Sequence, residues 1–342
     1  MPLLTRMGLP ALKSIQSYRA ARWIDKDETS PEAALNRIGQ RAFVPILGRS
    51  PGLDPSRGVY AIGSCFARGI ENALRAHVPV LSIDDAFDDL PLARPDVTGR
   101  GFMNKYSTFA IDQELRWALV GGFPEESLVR LADGRWVDPH TNPTLLPGPR
   151  ATVLARRRTL LEIARQSAEA SLVIITLGLV EVWRDLATNT VTTMTPSEEM
   201  LETNPKRFQF EVSTFDENYA ALESIHATLA ANGRPDHQIV VTVSPVPLNA
   251  TPSGRDVVLA NTYSKSLLRV AAEQWAFSHD HVHYFPSYEI TVNSADPYRD
   301  GRHVRHDLVA HIMTVFRRRF LSGGLGAATP TTRGTVTAVD NA

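Results

Sequence analysis

Four short runs, Val59–Ile62, Leu172–Leu177, Gln238–Val243 and Val282–Phe285, are dominated by aliphatic and β-branched residues, and segments of helical periodicity separate them. Runs this short and this evenly apolar read as strands covered on both faces. Alternating with amphipathic helices, they predict an α/β chain: one parallel, doubly wound sheet between two helical layers over residues 58–320.

The intervening segments support this layout. Ile70, Ala73 and Leu74 share a helix face, and Val78–Ile83 reads as a further strand, followed by a loop over 84–101. Ser107 or Thr108 can cap a helix bearing Ile111, Leu115 and Leu119. Residues 121–149, rich in Pro, Gly and Asp, read as an insertion, and a helix follows over 152–168. A hairpin is expected over Val182–Met194, turning at Ala187-Thr188-Asn189. Ser213 is the expected cap of a helix carrying Tyr219, Leu222, Ile225 and Leu229, which Gly233 ends. Further helices are expected over 256–275 and through Val309, Ile312, Phe316 and Phe320. Residues 1–57 read as an N-terminal arm packed on the core, and residues 321–342, without an apolar period, as a disordered tail.

Charge narrows the class of partner. The formal net charge is −1, which gives no electrostatic case for nucleic acid or an anionic membrane, and the runs Arg156–Arg158 and Arg317–Arg319 read as solvated helix faces. The longest apolar stretches fall far short of the ~20 residues of a membrane span. A single cysteine makes no internal disulfide, and the first residues lack a secretory pattern, so a cytoplasmic location is expected.

In a doubly wound sheet, ligands bind beyond the carboxyl ends of the strands. Three segments fall there: Gly63-Ser64-Cys65, the stretch Thr176 to Trp183, and Asp300-Gly301-Arg302-His303. The lone cysteine, Cys65, stands at a strand-to-helix elbow, where a helix N-terminus favours a thiolate, so a depressed thiol pKa is expected. The spacing Asp-x-x-His allows Asp300 to orient His303, whose other nitrogen is then free to act as base toward Cys65. His306, Asp307 and His311 cluster nearby without a second group of metal-like spacing, and no metal is expected. Trp183, Tyr106, Tyr263 and Tyr288 read as core or wall aromatics. Glu181, Lys265 and Arg269 are candidates for binding an anionic or sugar substrate, or for pairing with each other. Ser244-Pro245-Val246-Pro247 reads as a stiff pocket rim.

Gly63-Ser64-Cys65-Phe66-Ala67 resembles the signature of the GSCFA domain family. Asn104-Lys105-Tyr106-Ser107-Thr108, Thr176-Leu177-Gly178-Leu179-Val180-Glu181-Val182-Trp183, Ser244-Pro245-Val246-Pro247-Leu248, Asn261-Thr262-Tyr263-Ser264-Lys265-Ser266 and Tyr284-Phe285-Pro286-Ser287-Tyr288-Glu289 are similar to motifs of its bacterial members. The resemblance spans about 58–320 and implies the SGNH (GDSL-like) hydrolase superfamily, a flavodoxin-like three-layer α/β/α sandwich with its nucleophile after the first strand. Gly63-Ser64-Cys65-Phe66-Ala67-Arg68-Gly69 overlays the superfamily's Gly-Asp-Ser-x-x-x-Gly, which puts Cys65 at the nucleophile and Ser64 at the aspartate. Its terminal Asp-x-x-His falls on Asp300 and His303. A polysaccharide-biosynthesis acetyltransferase-like group of the same fold also has cysteine at this place, in Gly-Asn-Cys-Gln.

The superfamily's Gly-x-Asn-Asp block departs here, with Val180 in place of the oxyanion asparagine. The backbone N–H groups of Cys65 and Gly178, with Asn104 or Thr176, are the candidate replacements. The resemblance thus implies an acyl esterase or O-acyltransferase for a glycan or other small polar ester. Cys65, or alternatively Ser64, attacks, His303 moves the proton and Asp300 orients it. No cofactor is required, although a transferase would take an acyl donor such as acetyl-CoA. The alternative is a non-catalytic carbohydrate or small-molecule binding protein on the same scaffold.

Overall fold

The computed structural model describes residues 4, 7–48, 51–82, 101–142 and 145–321. Its elements, in chain order, are α1 (Gly8–Ser17), α2 (Ala34–Arg37), β1 (Val59–Gly63), α3 (Cys65–Leu74), α4 (Thr108–Leu119), β2 (Val129–Arg130), β3 (Trp136–Val137), α5 (Arg150–Arg165), β4 (Leu172–Leu177), β5 (Glu181–Asp185), β6 (Thr190–Val191), α6 (Glu198–Thr203), β7 (Phe208–Val212), α7 (Phe215–Asn232), β8 (Gln238–Val243), α8 (Val257–Ser278), β9 (Val282–Tyr284), α9 (Ser287–Val292) and α10 (His306–Phe320).

The four apolar runs form a parallel sheet in the order β1-β4-β8-β9. On the open side of β1 the segment expected as a strand over Val78–Ile83 makes one parallel bridge, Val80 with Val59. Val59 donates to the Pro79 carbonyl and Leu81 donates to the Val59 carbonyl, while Pro79 itself has no N–H to give. Residue 83 lies outside the described residues. Counted with this bridge, the chain order across the sheet is second, first, third, fourth, fifth, the flavodoxin-like doubly wound order.

Side-chain alternation sends the two faces of each strand to different cores. Tyr60, Ile62, Val173, Ile175, Ile239 and Val241 pack with residues of α4, α5, α7 and α8, including Ile111, Leu160, Leu222 and Trp275. Val59, Ala61, Leu172, Ile174 and Val240 pack on the other side against α3, α9 and α10 through Ile70, Leu74, Ile290, Leu308, Ile312 and Phe316. The result is three layers. Each helix covers the sheet with a stripe of side chains three and four residues apart.

The expected hairpin is present as β5 and β6, with Asn189 at φ 53° in its turn, and β7 pairs with the other edge of β5 to complete a three-stranded antiparallel sheet. Residues 121–149 contain the β2–β3 ribbon, which Trp136 extends by a bridge to Gly148. The segment before β1 is tied to the core by bonds from Gly39 N–H to the Asn293 carbonyl and from Leu53 N–H to the Phe320 carbonyl. The loop expected over 84–101 and the tail over 321–342 lie outside the described residues, save Gly101 and Leu321.

Two local expectations need correction, and one choice left open is settled. The cap of α7 is Thr214, whose hydroxyl accepts from Glu217 N–H while the Glu217 carboxylate accepts from Thr214 N–H, a reciprocal pairing that Ser213 lacks a partner to make. Ser213 instead donates to the Val180 carbonyl and accepts from Asn218. At α4 the cap is Ser107, and Thr108 donates to Asn218. Arg157, expected on a solvated face, is buried. It bridges Asp138 at 2.6 Å and Glu114 at 2.8 Å, and Lys105 lies 3.0 Å from the same Glu114 carboxylate. Arg156 and Arg158, its neighbours, point about 100° away on the helix and keep more solvent.

Candidate active site

At the end of β1, Gly63 adopts φ +133° and lies so close to β4 that a Cβ would meet the Thr176 carbonyl oxygen at 2.2 Å. Only glycine fits both demands. Ser64 follows as the N-cap of α3: its hydroxyl accepts from Phe66 N–H at 3.3 Å and shares a 3.1 Å hydrogen bond with Thr176. Cys65 is then the first helical residue. β1 and β4 are neighbours on either side of the point where strand order reverses, so the thiol stands at the topological switch point of the sheet.

Cys65 lines two adjoining cavities. One, of about 630 Å³, is also lined by Ser64, Tyr106, Asn142, Gly178, Ser244 and Arg302. The other, of about 440 Å³, brings Cys65 together with Phe66, Asn72, Val246, Arg299 and His303. Asp300 closes the tight turn before α10 by accepting from the N–H groups of Arg302 at 3.1 Å and His303 at 2.7 Å. Its second oxygen lies 2.8 Å from His303 Nδ1. This fixes the imidazole and leaves Nε2 without a hydrogen bond among the described residues. The His303 N–H and ring hold the Asp300 carboxyl well below the usual carboxylate range. Cys65 and His303 share a cleft wall without a direct hydrogen bond between them.

The thiol does not follow the helix-dipole expectation. Burial pushes its pKa up, and the Arg302 and Lys265 charges, with the N–H groups of Cys65 and Phe66, lower it only in part. His303 is not among the leading influences on it. Lys265, fully buried on α8, is pushed down to about 7 by the same desolvation and donates to the Gly178 carbonyl at 2.7 Å. A thiolate at Cys65 favours the charged form of Lys265, so each ion supports the other.

The candidate oxyanion donors separate. Gly178 N–H is already given to the Tyr106 carbonyl at 3.0 Å, and Gly178 sits so close that a Cβ would meet that oxygen at 2.5 Å. Thr176 is buried against Ser64, and Asn104 donates to the Tyr106 hydroxyl at 3.0 Å and does not line the cavity. Cys65 N–H, at the first turn of α3, is the backbone donor left of those expected. Asn142, which the sequence did not single out, faces the cavity with only a long 3.4 Å bond to the Tyr106 hydroxyl. Arg302, inside the recognised Asp-x-x-His block but given no role, lines the same cavity and donates to the Pro247 carbonyl at 3.2 Å.

Glu181 accepts from Thr251 at 2.7 Å and lines a separate small cavity of about 70 Å³ with Trp183. Arg269 does not pair with Lys265; it is engaged by Glu273 and Glu289 and stacks over Tyr284 at 4.0 Å. Tyr106 and the Ser244, Val246 and Pro247 rim do wall the cavity, while Tyr263 is exposed beside Arg255.

Fold and site together define a doubly wound α/β protein with a thiol at the carboxyl edge of its sheet and an Asp–His pair on the same cleft. The chain belongs to the GSCFA family, which it matches over residues 58–316. Comparison with curated proteins gave no match. Among solved structures, it is similar to a carbohydrate esterase family 2 enzyme plus carbohydrate-binding domain from Corynascus thermopiles (Myceliophthora fergusii), with 11% identity and a TM-score of 0.31 over 81% of this chain and 67% of that one. The fold assignment rests on the strand order and not on that likeness. No helix among the described residues is long and apolar enough to cross a membrane.

Proposed function

We propose that this protein is an acyl-transfer enzyme, an acyl esterase or O-acyltransferase for a carbohydrate or another small polar ester. The observation that carries this reading is the meeting of Cys65 and the Asp300–His303 pair on one cleft beyond the carboxyl ends of the strands. In the reaction, the Cys65 sulfur bonds to the acyl carbon as its proton passes to His303 Nε2. The tetrahedral adduct then expels the alcohol oxygen, which takes the proton back and leaves a thioester on Cys65. Water or a sugar hydroxyl, deprotonated by the same nitrogen, attacks the thioester and restores the thiol. Because burial disfavours a resting thiolate, proton removal by His303 during attack is the step that the site most needs. Asp300 holds Nδ1 and stabilises the imidazolium. A transferase would draw its acyl group from a donor such as acetyl-CoA, and the compartment in which we propose that it acts is the cytoplasm.

A second reading, a non-catalytic binder of carbohydrate or small molecules on an SGNH-like scaffold, is favoured by Val180 at the asparagine position and by the commitment of Gly178 N–H to Tyr106. Incubation with aryl acyl esters and acetylated sugars, followed by product release and intact-mass detection of an acyl adduct, separates the two. Turnover with an adduct on the Cys65 peptide supports the enzyme. Saturable sugar binding without turnover or adduct supports the binder.

A further inference from the structure

The opposite, amino edge of the sheet carries a cluster of histidines with no part in the chemistry above. Glu223 and His226 lie three residues apart on α7, so both project from one face toward the connection between α8 and β9. That connection supplies His279 and His281. His279 Nε2 lies 3.0 and 3.1 Å from the two Glu223 carboxylate oxygens. His226 Nε2 lies 2.9 Å from His281 Nε2, and the His226 and His279 rings stack at 3.8 Å. One ligand atom each from Glu223, His226 and His279 falls within 4.8 Å of the others.

The neighbouring imidazoles frame the cluster. The 2.9 Å between His226 Nε2 and His281 Nε2 is that of an N–H···N hydrogen bond between neutral rings, which holds His226 in place. Beside them His237, buried at 6% exposure, gives Nδ1 to the Arg234 carbonyl and leaves Nε2 buried with no partner. Its ring meets His281 edge-on at 5.5 Å. An imidazole whose Nδ1–H is held by a backbone carbonyl presents a lone pair at Nε2, the tautomer that metal sites select. A tetrahedral zinc ion with ligand bonds of 2.0–2.1 Å holds its donors about 3.3 Å apart, close to the 3.0 Å between His279 and Glu223 and within the 4.8 Å that spans the three candidate ligand atoms.

We propose that Glu223, His226 and His279, with His281 against His226, form a site for a zinc-class divalent cation that clamps α7 to the α8–β9 connection. Two imidazoles and one carboxylate suit zinc better than calcium or magnesium, which take oxygen ligands. The position argues for a structural ion. His279 and His281 immediately precede β9, and His237 immediately precedes β8, whereas Cys65 follows the carboxyl end of β1 in the same parallel sheet. The proposal is independent of the acyl-transfer reading. His283, the neighbouring imidazole, is occupied by Gln238 at 3.0 Å and is not a ligand.

The test uses tag-free, chelator-treated Cys65→Ser protein, so that the thiol cannot bind metal. Titration with Zn2+ by calorimetry should show one equivalent bound and a rise of several degrees in the thermal midpoint. Co2+ should give the visible d–d band of a four-coordinate centre. The double variant His226→Ala/His279→Ala should bind Zn2+ at least about tenfold more weakly and lose both the midpoint shift and the Co2+ band. Its midpoint in chelator should match that of the parent, which shows that it folds. Absence of stoichiometric Zn2+ binding by the parent, or binding that survives the double substitution, overturns the proposal.

Discussion

Gly178 donates its N–H to the Tyr106 carbonyl at 3.0 Å, and Leu179 donates to the same oxygen at 2.9 Å. The loop after β4 is thereby pinned to the segment before α4, and its first backbone donor is unavailable to a developing oxyanion. In the proposed reaction the charge falls instead to Cys65 N–H and to Asn142. Asn142→Ala should lower kcat on an acyl ester by about 10²-fold with little change in thermal midpoint, since one oxyanion donor is commonly worth 10²–10³. Unchanged steady-state kinetics would remove Asn142 from the site.

The second expectation concerns the thiol. With burial outweighing Arg302, Lys265 and the helix N-terminus, Cys65 in the free protein should alkylate with iodoacetamide along a pH profile whose inflection lies above the ordinary thiol value of about 8.5. Arg302→Ala should raise that inflection further. An inflection near neutral pH in the unmodified chain would show that the site ionises the thiol at rest.

What the sequence made legible and what it hid differ in kind. Leu172–Leu177 and Gln238–Val243 were readable as strands because nearly every side chain in them is buried, on one face or the other. Phe208–Val212 was not assigned, although it alternates. Its side chains are half exposed, and a strand of that kind is made by its partner as much as by its own residues. The Asp300–His303 pair was readable because a single turn creates it. Asn142, within the insertion, comes to the Cys65 cavity through tertiary packing alone, which no local spacing records. The thiol's expected activation failed for the same reason, because dipole and charges are local and the burial that outweighs them is not.

Ser64 and Cys65 are adjacent in the elbow but differ in surroundings, and this divides their work. The Ser64 hydroxyl is spent on Phe66 N–H and Thr176. Ser64→Ala should cost about 1 kcal/mol of stability, the usual worth of a helix cap, and keep substantial activity. Cys65→Ala and His303→Ala should fold normally and lose turnover. Denaturant midpoints and ester kinetics on the three variants decide the matter. An inactive Ser64→Ala beside an active Cys65→Ala would make Ser64 the nucleophile.

His140 gives a prediction about the fold that does not depend on function. Burial, with Arg157 and Lys105 beside it, drives this imidazole down to about 4, while Asp138 and Glu114 act in the opposite direction without prevailing. Its contacts agree with a neutral ring: Nδ1 lies 3.1 Å from the Val191 carbonyl, Thr190 faces Nε2 at 3.4 Å, and the Trp117 ring stands at 4.8 Å. The unfolded chain takes up this proton near the ordinary value of 6.5 and the folded chain only near 4, so the unfolded state binds more protons throughout that window. Stability is therefore full above about pH 6.5 and falls as pH drops toward 4, by roughly 3 kcal/mol from this one group. His140→Gln keeps a polar side chain but cannot titrate. Urea midpoints measured from pH 7 down to pH 4 should fall steeply for the parent and more gently for the variant. Two parallel curves would mean that His140 is not the residue that carries this acid sensitivity.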